Sequence, residues 1–242
     1  MGVIRHDFIF DGVSASAYGL VVYGGAVDEV AARDVEAVTI PGRNGVLHLS
    51  NGRWNERTQT YKVYLPTWDN IGYEGRLAWV RTTYGQTSGY KRLSDTFNMD
   101  TYSLATFGDA IAPESLAFRT RGVCELTFNC RPERFLKTGD VPRTITAAAT
   151  FNNPTGMTAK PLLRVHGTGA GVLTVGDQIV YIDAIDGYVD IDCDLCDCYK
   201  GATNCNGNVR IGNFPTFGAG STGVSFTGGI TSVDVTPRWW CL

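Results

Sequence analysis

Glycine sets the texture of the second half of this chain. Between residues 162 and 240 run the segments LLRVHG, GVLTVG, QIVYIDA, YVDIDCDL, VRIGNFP, GVSFTGG and TSVDVTPRW, each short, apolar–polar in alternation, and bounded by glycine-rich breaks. Alternation at period two puts one side of each segment toward a core and the other toward water. Seven such strands in about a hundred residues predict a compact antiparallel β-sandwich. The whole chain carries 29 glycines in 242 residues, which fits many strands joined by tight turns.

The first half reads differently. FIFDGVSASAYGLVVYGG gives a strand, a turn at Asp11–Gly12 and a second strand, and VEAVTIPGRNGVLHLSNGRW carries turn signals at Pro41–Gly42 and Asn44–Gly45. TQTYKVYLP alternates, placing Tyr61, Val63 and Leu65 on one face. Residues 69–84 break this pattern: Tyr73, Leu77, Val80 and Tyr84 recur at helical spacing, with Ile71 and Ala78 nearby on the wheel. Asp69 or Asn70 is expected to cap this helix and Gly85 to end it. SLAFRTRGVCELTFNCRPERFL supplies further strands, closed at Pro132, with Cys124 and Cys130 on one face. At residue 136 the composition turns to Thr, Ala, Gly and Pro, so two domains are expected, 1–135 and 136–242.

Composition limits the function classes. With 43% hydrophobic and 19% charged residues the chain is of the folded type, and a net charge of -3 gives no electrostatic reason to bind nucleic acid or an anionic membrane. No apolar run approaches the ~20 residues of a membrane span, so no membrane insertion is expected. The opening residues lack the unbroken apolar core of a signal peptide, and the seven cysteines are therefore expected to stay reduced.

Catalytic and cofactor-binding residues do not emerge. GTGAG at 167–171 has strands on both sides and no following helix to offer amides to a phosphate. His6, His48 and His166 each fall in or beside a strand, without a nucleophile elbow. No enzyme and no cofactor are expected.

The stretch DIDCDLCDCYKGATNC, residues 190–205, holds four cysteines among four aspartates. Asp190, Asp192 and Asp194 imitate a calcium loop, but Leu195 and Gly201 occupy the positions that would need glycine and glutamate. Alternation instead turns Val189, Ile191, Cys193 and Leu195 inward and the aspartates to water. Cys193, Cys196, Cys198 and Cys205 offer one CxxC without a second, which leaves a zinc clip, a disulfide and free thiols all open. In PRWWCL, adjacent tryptophans must point to opposite faces, one to the core and one outward.

Several segments in order resemble one family. FIFDGVSASAYGLVV, IPGRNGVLHLSNGRW, the helix leading into GYKRLSD, and LTFNCRPERFL are similar to the N-terminal half of siphophage distal tail (Dit) proteins. KPLLRVHGTGAGVLTV, YVDIDCDLCDCYKGATN, IGNFPTF and GGITSVDVTPRWW are similar to its C-terminal half. The resemblance implies a mainly β protein: a tail-tube-like β-barrel or sheet domain with one α-helix, then a galectin-like β-sandwich. It implies a homohexameric ring at the distal end of the virion tail, assembled in the host cytoplasm. That ring would join the major tail tube protein to the tape-measure protein and to a tail-associated lysin, fibre or receptor-binding protein, with phage DNA only passing through its channel. It implies no metal at the cysteines. A carbohydrate-binding module is the other reading, with Trp239, Trp240, Tyr188 and Tyr199 available to stack on sugars.

Overall fold

A computed structural model describes residues 6–66, 71–108, 114–116 and 121–242. Among them the chain is mainly β with one α-helix. It divides into two compact units, one of residues up to Arg134 with Leu242, the other Phe135–Cys241.

The first unit is built on β1 (Phe8–Phe10), β2 (Val27–Asp28), β3 (Arg33–Thr39), β4 (Val46–Trp54), β5 (Arg57–Leu65), helix α1 (Gly72–Thr83), β6 (Lys91–Asp95), β7 (Thr101–Thr106) and β8 (Arg121–Leu136). Its main sheet runs β1–β6–β7–β8–β5, with β2 also paired to β5. Strand β5 alternates as expected, and Tyr61, Val63 and Leu65 are fully buried. Cys124 and Cys130, both buried, face the same core from β8. Aromatic rings fill that core: Phe8 stacks on Tyr61 at 4.5 Å, and Phe10 meets Phe128 at 5.0 Å.

Helix α1 buries Tyr73, Leu77 and Val80, and Tyr84 just beyond it is fully buried. Tyr73 lies so close to β8 that a Cβ on Gly122 would stand 2.0 Å from its ring, so only glycine fits there. Ile71 and Ala78 are exposed, contrary to the wheel, while Arg76 is buried and donates to the Pro66 carbonyl at 2.6 Å. The expected caps Asp69 and Asn70 lie outside the described residues. Pro132 does not close its strand: β8 runs on to Leu136, and the proline falls beyond its ladder with β5, which ends at Cys130–Arg57.

The second unit contains β9 (Arg143–Ile145), β10 (Ala149–Asn153), β11 (Leu162–Val175), β12 (Gln178–Asp192), β13 (Asp197–Lys200), β14 (Thr203–Asn204), β15 (Val209–Ile211) and β16 (Gly220–Thr236). Six of the seven expected short segments merge in pairs into three long strands, β11, β12 and β16. The glycines between them make a bend, not a turn. On one side of the bend, β10–β16–β11–β12–β15 pair; on the other, β9–β16–β11–β12–β13–β14. Register shifts fall at His166–Gly171, where GTGAG sits. A Cβ on Gly167 would lie 2.1 Å from the Gly229 carbonyl, and one on Gly229 would lie 1.9 Å from the Thr168 carbonyl. The motif therefore serves close backbone approach at the fold of a two-layer sheet. Leu163 and Val165 before the bend and Leu173 and Val175 after it share one core.

Candidate interaction surfaces

Strands β3 and β4 form a two-stranded sheet of their own. Pairing runs from Thr39–Val46 at the tip to Arg33–Trp54 at the base, with an irregularity after Arg33. Alternation places Val38, Leu47 and Leu49 on one side of this ribbon, because Val38 pairs with Leu47 and Glu36 with Leu49. Val35, Ile40, Val46, Leu47 and Leu49 are between 36% and 45% exposed. A two-stranded hairpin is marginal alone in water, and one that presents apolar side chains this openly has a surface fit for a partner. His48 lies on this exposed ribbon.

The base of the hairpin is clamped. Asp28 on β2 accepts Arg57 Nη1 at 2.7 Å and Arg134 Nη2 at 2.6 Å, and Arg57 also donates to Ser103. The Arg57 side chain is only 1% exposed. Burial and then the neighbouring Arg134 charge pull its guanidinium below the usual range, and Asp28 opposes them. Backbone bonds continue the clamp, from Asn55 N–H to Ala32 at 2.8 Å and from Glu29 N–H to Thr58 at 3.2 Å. The sequence did not single out this cluster: Asp28, Arg57 and Arg134 lie on three strands, and nothing in their spacing links them.

Of the three aspartates expected to face water in the second unit, only Asp194 is partly exposed. Asp190 and Asp192 are buried, each held by an arginine fork: Arg164 on Asp190 at 2.7 and 3.0 Å, Arg238 on Asp192 at 2.7 and 2.9 Å. Burial pushes the Asp192 carboxyl up, but the Arg238 hydrogen bonds and charge and the Leu195 and Asp194 amides outweigh it and hold it below its ordinary value. Leu195, expected inside, is 68% exposed because it lies at the tip of the β12–β13 turn.

Nearby, Arg164 covers the Tyr188 ring at 4.7 Å, and His166 Nε2 lies 2.8 Å from Asp234. Trp239 is buried, and Trp240 donates its indole N–H to the Thr158 carbonyl at 2.9 Å. Of the four aromatic residues expected to stack on sugars, two are thus taken up by packing and Tyr188 by Arg164. Tyr199 is half-buried on β13. In the first unit, His6 stacks on Phe97 at 4.1 Å.

All seven cysteines are free thiols. Cys193 and Cys198 are buried, Cys205 is half-buried and Cys196 is exposed. Cys198 sits on β13 opposite Ile191, facing the core. Burial first, then the Asp197 and Cys205 charges, push its thiol up to about 12. Among the described residues no three His, Cys, Asp or Glu side chains stand together as a metal site.

No family model matches the sequence, and no curated protein matches it significantly. Solved structures do. The crystal structure of the Dit protein of phage SPP1, described as a paradigm of the hub adsorption apparatus in phages that infect Gram-positive hosts, superposes with a TM-score of 0.76 at 11% identity, over 98% of this chain and 99% of that one. A chain of the phage p2 baseplate in its activated conformation with Sr matches with a TM-score of 0.51 at 10% identity, covering 97% of this chain and 98% of that one. The calcium form of that baseplate gives 0.50 at 7% identity, over 96% and 98%. Across both of its units, this chain has the fold of a phage Dit hub protein.

Proposed function

We propose that this protein is a structural, non-enzymatic component of a siphophage tail tip, a hub that joins the tail tube to baseplate or fibre proteins. The observation that carries the reading is the β3–β4 hairpin, clamped at its base yet with its apolar side uncovered, on a chain whose fold matches a Dit hub protein end to end. In this reading residues 1–135 build a homohexameric ring in which each hairpin lies on the neighbouring copy. The arrangement is head-to-tail and closed, and it hides the hairpin and the sheet edges together. Residues 136–242, read as a galectin-like sandwich, lie outside the ring and carry fibre or receptor-binding proteins. The tape-measure protein and then the genome pass through the centre, and the protein resides in the virion after assembly in the host.

Native mass spectrometry and negative-stain microscopy test this, on the full chain alone and with the adjoining tube protein. Six-fold rings are expected in at least the second sample. A chain that stays monomeric in both overturns the hub reading.

A further inference from the structure

The β13–β14 hairpin sets two of the clustered cysteines opposite each other. Tyr199 pairs with Asn204 and Lys200 with Thr203, so the next positions outward are Cys198 and Cys205. The Cys205 amide donates to the Cys198 carbonyl at 2.8 Å, while the Cys198 amide donates to Asn206 Oδ1 at 2.7 Å, so one bond of the ladder carries on to this position. Residues opposed across an antiparallel pair stand about 4.5–5.5 Å apart at Cα, inside the roughly 4.4–6.8 Å that a disulfide spans. Both side chains take the same face: Cys198 is 1% exposed within the core, and the half-buried Cys205 packs against that core.

The other pair is arranged differently. Cys193 and Cys196 flank the Asp194–Leu195 turn, but Cys193 is buried and Cys196 exposed. Cys196 has a left-handed φ of 54°, which swings its side chain out of register, and its Sγ lies 3.8 Å from the Cys193 carbonyl oxygen.

We propose that Cys198 and Cys205 close a disulfide across this hairpin when the protein meets a small-molecule disulfide, the oxidant of an extracellular setting. Cys205 is the reachable thiol. Once deprotonated, its Sγ attacks one sulfur of the small disulfide, giving a mixed disulfide and releasing one small thiolate. Cys198 then gives up its proton, and its Sγ attacks Cys205 Sγ and displaces the second small thiolate. Two protein thiols are oxidised, one small disulfide is reduced, and the two protons end on the released thiols. The raised Cys198 thiol makes the second step slow at neutral pH and faster as pH rises. The bond ties down β14, the two-residue strand at the end of the sheet order, by linking the chain beside it to β13.

The test uses the full chain, purified reduced and then incubated with glutathione disulfide. Remaining thiols are blocked with N-ethylmaleimide under denaturing conditions, and the protein is digested with trypsin. Cleavage after Lys200 separates the two cysteines unless they are bonded. The expected product is a cross-linked pair of peptides carrying Cys198 and Cys205, short of two hydrogens and separated by dithiothreitol. Oxidation should also raise the melting temperature, and this rise should vanish in Cys205→Ser or, if that variant folds poorly, in Cys205→Ala. Cys205 carrying only glutathione, Cys198 recovered wholly as its maleimide adduct, or Cys205 bonded to a different cysteine would each overturn the proposal.

Discussion

Asp28 and Arg57 bracket the protruding hairpin: one lies just before its first strand, the other just after its second, and their side chains meet at 2.7 Å. The contact ties the incoming chain to the outgoing one, and Arg134 from β8 reinforces it. Asp28→Asn would leave two arginines, one almost fully buried, without their shared counter-charge. The expected loss is about 3 kcal/mol, read from urea denaturation of the full chain, because stranding a buried charge costs far more than losing a surface ion pair. A loss below about 1 kcal/mol would show that the clamp does not hold the hairpin base.

The hairpin surface itself should tolerate change in the isolated chain. Leu47→Asp and Leu49→Asp replace exposed side chains, so each should shift stability by no more than about 0.5 kcal/mol. Both should abolish self-association in sedimentation velocity, with or without the tube protein. Rings that survive both substitutions would move the interface elsewhere.

Thiol chemistry should separate the cysteines by depth. Burial pushes the Cys124 and Cys130 thiols up to about 11 and the Cys193 thiol higher still, so an aromatic disulfide reagent should label the exposed Cys196 first and these last. Cys196→Ser should be nearly neutral. Cys198→Ser should cost about 1–3 kcal/mol, since it places a hydroxyl among Ile191, Val209 and their neighbours.

Acid should weaken the second unit through the forked Asp192. The folded pKa of Asp192 lies below its unfolded value, so its pairing with Arg238 stabilises fully above the ordinary carboxylate range. That stabilisation is lost as pH falls from about 4 through the lower folded value. Melting curves between about pH 7 and pH 2 should show a steep acid limb, and Asp192→Asn should be less stable at neutral pH with a shallower limb. An unchanged limb would mean that other carboxylates govern acid stability.

The proposed boundary can be checked by expression. Residues 135–242 hold a complete core, from Ile145 to Trp239, and should fold alone with a cooperative melt and a β-type circular dichroism spectrum. A fragment without a cooperative transition would refute independent folding.

Which parts of this were legible in the sequence follows from period and distance. Alternation in β5 identified Tyr61, Val63 and Leu65, and helical spacing identified Tyr73, Leu77, Val80 and Tyr84, because burial on one face of a regular element repeats along the chain. Arg76, Asp190 and Asp192 escaped that logic. A charged residue reads as solvated until its partner is known, and their partners, the Pro66 carbonyl, Arg164 and Arg238, come from elsewhere in the fold. The long strands were also hidden, since Gly167 and Gly229 look like turn residues in sequence although they serve to let two backbones touch. The Asp28–Arg57–Arg134 clamp had no local signature at all.

The bend at Gly167–Gly171 gives the second unit a mechanical property. Strands β11, β12 and β16 each pass through both layers without interruption. Tension applied to one layer is therefore carried into the other along covalent backbone, and the layers cannot be peeled apart by breaking inter-sheet contacts alone. Under such tension this unit would yield at its paired edges, β14 first, while its central strands stayed continuous.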